Sequence, residues 1–182
     1  PGAVNTGVPG EPTLPVFPVM VLLPPGAVVD GVEPLSQLSR ELPGEQSVDT
    51  FVYNPMDPVP TRGGNLCCYS AALQSGAYDQ REVEARPDVL VYTSPSLAED
   101  LEVTGDVRVH LWAATSARDT DFSAKLVDVS PDGYARNVCD GIVRLGYVGA
   151  FAPGDVVAVQ IDLGPTSNVF KAGHRIRVEV SL

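Results

Sequence analysis

The strongest constraint on the fold lies in residues 119–141, where two strand-like segments flank a tight turn. In Phe122–Leu126 apolar and polar residues alternate, the period of two that is expected of a half-buried strand. The segment Ser130–Gly133 follows, with proline at the second turn position and glycine at the fourth. The run therefore predicts a β-hairpin.

Short strand-like segments separated by turn signals continue through the chain from residue 51 onward. No window sustains a helical period, and one helical turn at most is predicted, at Ser96–Asp100. This pattern favours an all-β fold, a jelly-roll-type β-sandwich of the galactose-binding-like kind, with no catalytic α/β-hydrolase domain. The predicted strands are Phe51–Tyr53, Leu66–Ala72, Val89–Tyr92, Leu101–Val103, Val107–Ala113, Phe122–Val129, Tyr134–Cys139, Ile142–Tyr147, Val156–Leu163 and Ile176–Val180.

Proline divides the chain into two regions. Twelve of the 17 prolines fall within residues 1–60, and proline fixes φ and cannot donate to a β-ladder. Residues 1–47 are therefore predicted to be a proline-rich linker or irregular extension, with one edge strand at Val19–Leu23. Residues 48–182 are predicted to be the β-sandwich domain. Because the chain ends at Leu182 inside a predicted strand, we expect this domain to be truncated at its C-terminus.

Charge and cysteine content exclude several classes of function. The net charge of -11 would repel a phosphate backbone or an anionic membrane, so neither nucleic acid nor membrane is an expected partner. The three cysteines include the adjacent pair Cys67–Cys68, which strand geometry does not favour as a disulfide, and no C-x-x-C is present. The sequence therefore predicts free thiols, a reducing cytoplasmic location, and no metal or other cofactor.

No residues with the spacing of a serine hydrolase site are found. No serine has glycine at both positions of G-x-S-x-G, and the alternating strand–helix pattern that builds that elbow is missing. His174 follows Gly173 at a predicted turn, and without a nucleophile it is interpreted as a turn residue whose ring bonds neighbouring backbone. His110 is interpreted as a satisfied or surface histidine.

Five aspartates lie close together in the sequence around the hairpin. Calcium prefers several oxygen ligands, so a calcium site is one reading. Alternating residues of a strand point to opposite faces, which separates these carboxylates, and no defined calcium-ligand spacing is present. The favoured interpretation is that the aspartates cap turns or face solvent at the edges of strands. The residues are Asp119, Asp121, Asp128, Asp132 and Asp140.

The loop Asn54–Gly64 contains three prolines and ends in paired glycines. Prolines stiffen a loop, and glycines permit close approach to another backbone. Two interpretations stay open: a rigid crossover between sheets, or a loop docked against a partner domain that carries Leu66, Cys67 and Cys68 at its end.

Six segments in order carry a resemblance to a known family. The pattern is similar to the C-terminal domain of the X-prolyl dipeptidyl-peptidase and cocaine esterase family of serine hydrolases, over roughly residues 48–182. The segments are Asn54–Gly64, Asp79–Glu84, Asp88–Ser94, Glu99–Gly105, Asp119–Gly141 and Thr166–Ile176.

The resemblance implies a jelly-roll domain packed against an α/β-hydrolase domain of the parent chain, where a Ser-Asp-His triad cleaves esters or amides. None of the triad residues falls in the matching region, so this chain is expected to be inactive alone. Residues after the paired glycines help line the acyl side of the active site in relatives, which places Leu66, Cys67 and Cys68 at a substrate pocket. A homodimer is possible. The alternative is a stand-alone carbohydrate-binding module, for which only Trp112 and scattered tyrosines are available.

Overall fold

The computed structural model describes residues 13–22, 49–65 and 75–182. Strands dominate these residues, and each helix is a single turn. In chain order the elements are β1 (Thr13–Leu22), β2 (Asp49–Val52), α1 (Arg81–Glu84), β3 (Leu90–Thr93), β4 (Leu101–Ala113), β5 (Asp121–Val129), β6 (Ala135–Arg144), α2 (Leu145–Val148), β7 (Val157–Phe170) and β8 (Arg175–Ser181).

The strands of the described residues form two four-stranded sheets with antiparallel pairing throughout. The first has the order β2-β1-β4-β7 and the second β3-β8-β5-β6. Buried side chains of both sheets, such as Leu111 and Ile161 from the first and Phe122 and Val178 from the second, belong to one hydrophobic core. The all-β class predicted from the sequence is confirmed, and the jelly-roll type stays a prediction.

The hairpin predicted between residues 119 and 141 is present. Strands β5 and β6 pair in register up to Val129 and Ala135, and the Gly133 N–H donates to the Ser130 carbonyl across the turn at 2.8 Å. Gly133 has φ +86°, a left-handed conformation that glycine adopts without the steric cost of a Cβ.

Two pairs of predicted strands are each one continuous strand. The segments Leu101–Val103 and Val107–Ala113 belong to β4, because Gly105 stays in the ladder opposite Thr166. Likewise β6 runs through Gly141 to Arg144. Glycine has a weak intrinsic preference for strands, but pairing with neighbouring strands outweighs it at Gly105 and Gly141.

The predicted helical positions were also wrong. Residues 96–100 form no helix; the helical turns are α1 and α2, and α2 occupies the end of the predicted strand Ile142–Tyr147. Each is only four residues long, too short for a helical period to show in the sequence.

The predicted edge strand Val19–Leu23 falls on the second half of β1, and Leu23 lies outside the described residues. Strand β1 lies between β2 and β4 in the sheet order, but over Val19–Leu22 it pairs with β4 alone. Its first half pairs with β2 and its second half with β4, after a register shift between Val16 and Val19. Pro15 therefore has a ladder partner on one side only, which is the setting in which a strand tolerates proline. The predicted strand Leu66–Ala72 lies outside the described residues, and the boundary between residues 47 and 48 stays a prediction.

The two sheets meet closely where β6 approaches β7. A Cβ on Gly141 would lie 2.0 Å from the Asp162 carbonyl oxygen, so only a residue without a side chain fits. Because the obstacle is backbone, it cannot be relieved by moving a flexible side chain. Gly141 therefore sets the distance between these strands.

We expect Gly141→Ala to lower the free energy of unfolding by about 1–3 kcal/mol, because β6 and β7 must separate to admit the methyl group. Urea denaturation followed by circular dichroism measures this change. Gly149→Ala is the matched control, since Gly149 has extended backbone at φ 161° and nothing lies within 4 Å of its added Cβ. Equal stability of the two variants would show that the sheets are not in close contact at Gly141.

Candidate functional site

One face of the second sheet is covered by a layer built from α1 and the segments beside it. Core residues of β8 alternate with residues that face away from the core, and the latter include Glu179. Register places Glu179 beside Val91 of β3 and Lys125 of β5, and Lys125 beside Asp140 of β6. These four residues form a row across the sheet beneath the covering layer.

Gln80 joins the covering layer to this row. Its side-chain Nε2 donates to the carbonyls of Arg62 at 2.8 Å and Tyr78 at 3.0 Å. Its Oε1 accepts from the Lys125 ammonium at 2.9 Å. Gln80 is fully buried, so it has no access to water to replace these partners. One side chain thus fixes the loop at Arg62 to a strand of the sheet.

Arg86 holds a second point of the same loop, which we name the proline loop (residues 54–65). Its Nη2 donates to the Asp57 carbonyl at 2.8 Å and lies 3.3 Å from the Asp57 carboxylate. The same guanidinium bonds both oxygens of the buried Asp88 carboxylate at 2.8 Å. Hydrogen bonding to Asp88, and then to Asp57, raises the pKa of Arg86, so the clamp is charged at every physiological pH.

The proline loop presents an exposed and largely apolar edge. Met56 is 89% exposed, and Pro55, Pro58 and Pro60 are exposed around it. Internal bonds from the Met56 and Asp57 amides to Asn54 close the turn at 3.0 Å each. A loop stiffened by prolines and held at Arg62 and Asp57 keeps this edge in one conformation.

The paired glycines form the base of the next segment. Gly64 and Gly76 exchange backbone hydrogen bonds of 2.8 and 3.1 Å, and the Asn65 amide donates to the Asp140 carboxylate at 3.0 Å. A Cβ on Gly64 would lie 2.5 Å from an Asp140 oxygen, and its φ of +90° also favours glycine. Residues 66–74, between Asn65 and Ser75, lie outside the described residues. Leu66, Cys67 and Cys68 are among them, so their place at a substrate pocket stays a prediction.

His174 has a different partner from the predicted one. Its Nδ1 lies 2.7 Å from an oxygen of the buried Asp128 carboxylate, and Arg136 bonds the other oxygen at 3.1 Å. The prediction of a backbone bond was therefore wrong, because β5 brings a carboxylate 46 residues away to the turn. No hydroxyl or thiol of a described residue hydrogen-bonds to the ring, so the pair has no nucleophile there to activate. His110 is partly exposed on β4, which agrees with a surface histidine.

The aspartates near the hairpin serve separate partners. Asp119 accepts from Arg144 and from the Gly146 amide, and Asp132 accepts from the Tyr134 amide and from Ser130. Hydrogen bonds from Arg144 and Ser130 respectively lower the pKa of these two carboxyls. In the part of the chain that the structure describes, no three metal-ligating side chains come together. The interpretation as turn-capping groups is confirmed for Asp119 and Asp132.

Cys139 is the cysteine that falls within the described residues. Its thiol is free and buried in the core. Burial, with a smaller effect of Asp140, raises the pKa of Cys139 to about 12, so the thiolate needed for attack on a substrate is not formed at neutral pH. The prediction of a free thiol is confirmed here, whereas Cys67 and Cys68 are outside the described residues. None of the described helices is long and apolar enough to span a bilayer.

These features define a class: an all-β domain with a rigid apolar loop, whose described residues include no serine or cysteine side chain bonded to a histidine. The chain belongs to the family of X-Pro dipeptidyl-peptidase C-terminal non-catalytic domains, whose model matches residues 19–181. The family predicted from the sequence is thereby confirmed.

Three similar proteins are all much longer than this chain. Cocaine esterase from Rhodococcus sp. (strain MB1 Bresler) is 47% identical over 150 residues, which are 79% of this chain and 26% of that protein. An aminopeptidase structure from a marine sediment Thaumarchaeota archaeon has a TM-score of 0.73 and 32% identity, over 90% of this chain and 29% of its own. An α-amino acid ester hydrolase structure has a TM-score of 0.67 and 27% identity, over 92% and 28% of the two chains.

We expect Arg86→Ala to release the proline loop, because it removes the bonds to the Asp57 carbonyl and carboxylate and leaves the buried Asp88 unpaired. Amide hydrogen exchange at Asp57 should accelerate about tenfold or more, and the domain should lose about 2–4 kcal/mol of stability. Arg118→Ala, at an exposed arginine without a hydrogen bond or ion pair, is the control. Unchanged exchange at Asp57 in Arg86→Ala would contradict the clamp.

Proposed function

We propose that this chain is the C-terminal β-domain of a serine hydrolase that acts on esters, amides or X-prolyl dipeptides, and that its proline loop packs on the catalytic α/β-hydrolase domain. The observation that carries the proposal is the exposed, clamped edge around Met56. An exposed methionine among prolines is a surface that gains free energy when water is removed from it. Because the loop is already held by Gln80 and Arg86, docking costs little conformational entropy.

The assignment of catalysis to another domain rests on the catalytic groups that the described residues do not bring together. Acyl transfer needs a nucleophile, a base and an oxyanion hole around one reacting carbon. His174 is engaged by Asp128, and the Cys139 thiol is buried and protonated. We therefore assign the Ser-Asp-His triad to the catalytic domain and a supporting role to this one.

We also propose that Leu66, Cys67 and Cys68 form part of the acyl wall of the active site. The support is that the residues on either side of this segment are fixed, by the Gly64–Gly76 bridge and by the bond from the Asn65 amide to Asp140. A cytoplasmic location and a homodimer belong to the same proposal and rest on the sequence alone.

The alternative, a stand-alone carbohydrate-binding module, has no specific support in the described residues. The exposed aromatic side chains Trp112, Tyr134 and Tyr147 lie on β4, in the hairpin turn and on α2 respectively. A sugar platform needs aromatic faces side by side, and these residues come from three separate elements.

The first test is made on the full-length product of the gene. We expect the reading frame upstream of Pro1 to encode a G-x-S-x-G segment.

We expect Met56→Asp to lower the thermal unfolding midpoint of the full-length product by about 5 °C. The reason is that the new carboxylate would be buried at the interface with the catalytic domain. Tyr147→Asp is the matched control, since Met56 is 89% and Tyr147 88% exposed in this domain. Differential scanning calorimetry measures both variants.

The isolated 182-residue chain should tolerate both substitutions equally, because neither side chain belongs to its core. A start codon at Pro1, or a loss of stability in Tyr147→Asp but not in Met56→Asp, would overturn the assignment of the proline loop as the docking surface.

The second test concerns chemistry. The isolated chain should not react with a fluorophosphonate probe or hydrolyse an activated ester, whereas the full-length product should do both. Mass spectrometry locates any labelled residue. Stoichiometric labelling of a serine in the isolated chain, accompanied by steady turnover, would show that this domain is itself the enzyme.

A further inference from the structure

Two carboxyl groups meet in the layer beneath α1. Glu84 lies on α1 and Glu179 on β8, and their side chains are only 7% and 2% exposed. One oxygen of each is satisfied by a cation: Arg177 donates to Glu84 Oε2 at 2.6 Å, and Lys125 donates to Glu179 Oε2 at 3.1 Å. Both carboxyl groups are thus held in place by cations of the second sheet, Glu84 by Arg177 of β8 and Glu179 by Lys125 of β5.

The second oxygen of each carboxyl group has no donor. Oε1 of Glu84 and Oε1 of Glu179 are buried without a hydrogen-bond partner. A buried acceptor without a donor forfeits the bond it made with water, and each group here would also repel the other if both were ionised. A single proton placed on either group removes both costs, because the protonated oxygen donates to its neighbour.

We propose that Glu84 and Glu179 share one proton at neutral pH, and that this proton fastens α1 and the covering layer to the second sheet. The site is a proton-binding site built from one side chain of the cover and one of the sheet. It is independent of whether the proline loop docks on another domain.

The charges around the pair are consistent with this role. Lys125 faces Glu179 from β5, Arg177 faces Glu84 from β8, and Asp140 of β6 lies beyond Lys125 in the same row. The neighbouring strand β3 contributes the uncharged Val91 and Thr93, and the covering segment contributes the neutral Gln80. Lys125 is therefore shared between Glu179 and Gln80, and it does not reach the unpartnered oxygens.

The direction of the Glu179 pKa shift agrees with the proximity of the two carboxyl groups. Burial raises the pKa of Glu179 to about 7, the Lys125 ammonium opposes this rise, and the Glu84 carboxyl adds to it by charge and by a side-chain hydrogen bond. A carboxyl group whose pKa is higher in the folded state holds a proton that the unfolded chain has already released. Stability from this pair is therefore fully present near pH 4.5 and is lost as the pH rises through about 7.

The direct test is a pH titration of the 182-residue chain with ¹³C-labelled glutamate, following the side-chain carboxyl resonances between pH 3 and 9. We expect the Glu179 resonance to titrate with a midpoint near 7. In Glu84→Gln the Glu179 midpoint should fall, because the carboxyl group that raises the pKa of Glu179 by charge and by hydrogen bonding has been removed. Glu99→Gln, at an exposed residue whose side chain makes no hydrogen bond or ion pair, should leave the near-neutral titration unchanged.

The second readout is stability. From pH 5 to pH 8 the unfolding equilibrium constant of the unmodified chain should increase by up to about a hundredfold more than that of Glu179→Gln, which cannot lose the proton. Amide exchange of Glu84 and Ala85 in α1 should accelerate over the same range. Titration of Glu179 below pH 5 in the unmodified chain would overturn the proposal, and that measurement stands even where a variant fails to fold.

Discussion

The ammonium group of Lys125 is the point at which the second sheet and its covering layer are joined. A buried cation is stable only when hydrogen-bond acceptors replace the water it has lost, and Lys125 takes one from each layer: Glu179 from the sheet and Gln80 from the cover. Gln80 in turn fixes the proline loop through the Arg62 carbonyl. The position of the loop at Arg62 therefore depends on the paired charge of Lys125, and its position at Asp57 depends on Arg86.

The two faces of this sheet are held by different kinds of interaction. The core face contributes fully buried apolar side chains such as Phe122, Leu126 and Val178, which stabilise the domain in proportion to the area they remove from water. The covered face is joined by ion pairs and directional hydrogen bonds, with Val83 as a buried apolar contact of α1. Such bonds add little net stability but specify one geometry, which suits a layer whose task is to present a loop in a fixed position.

Sequence reasoning succeeded where the information is local and failed where it is not. Alternation and turn residues predicted the β5–β6 hairpin because neighbours in sequence determine it. The same alternation marks Glu179 as a residue facing away from the core, and that is true, but it cannot show that α1 returns to bury it. The partners of His174 and Arg177 lie 46 and 93 residues away, and only the strand order brings them together. Gln80 lies in Asp79–Glu84, one of the segments that carry the family resemblance, but its partners Arg62 and Lys125 can be identified only from the structure.

The paired glycines are fixed by bonds that do not depend on the side chains of the segment that follows them. The Gly64–Gly76 bridge uses backbone groups alone, and the Asp140 carboxylate accepts from the backbone amide of Asn65. At Gly64 the φ of +90° and the approach of Asp140 both favour a residue without a Cβ. The sequence requirement of this anchor therefore falls on Gly64 and Asp140, and none of its bonds uses a side chain of residues 66–74.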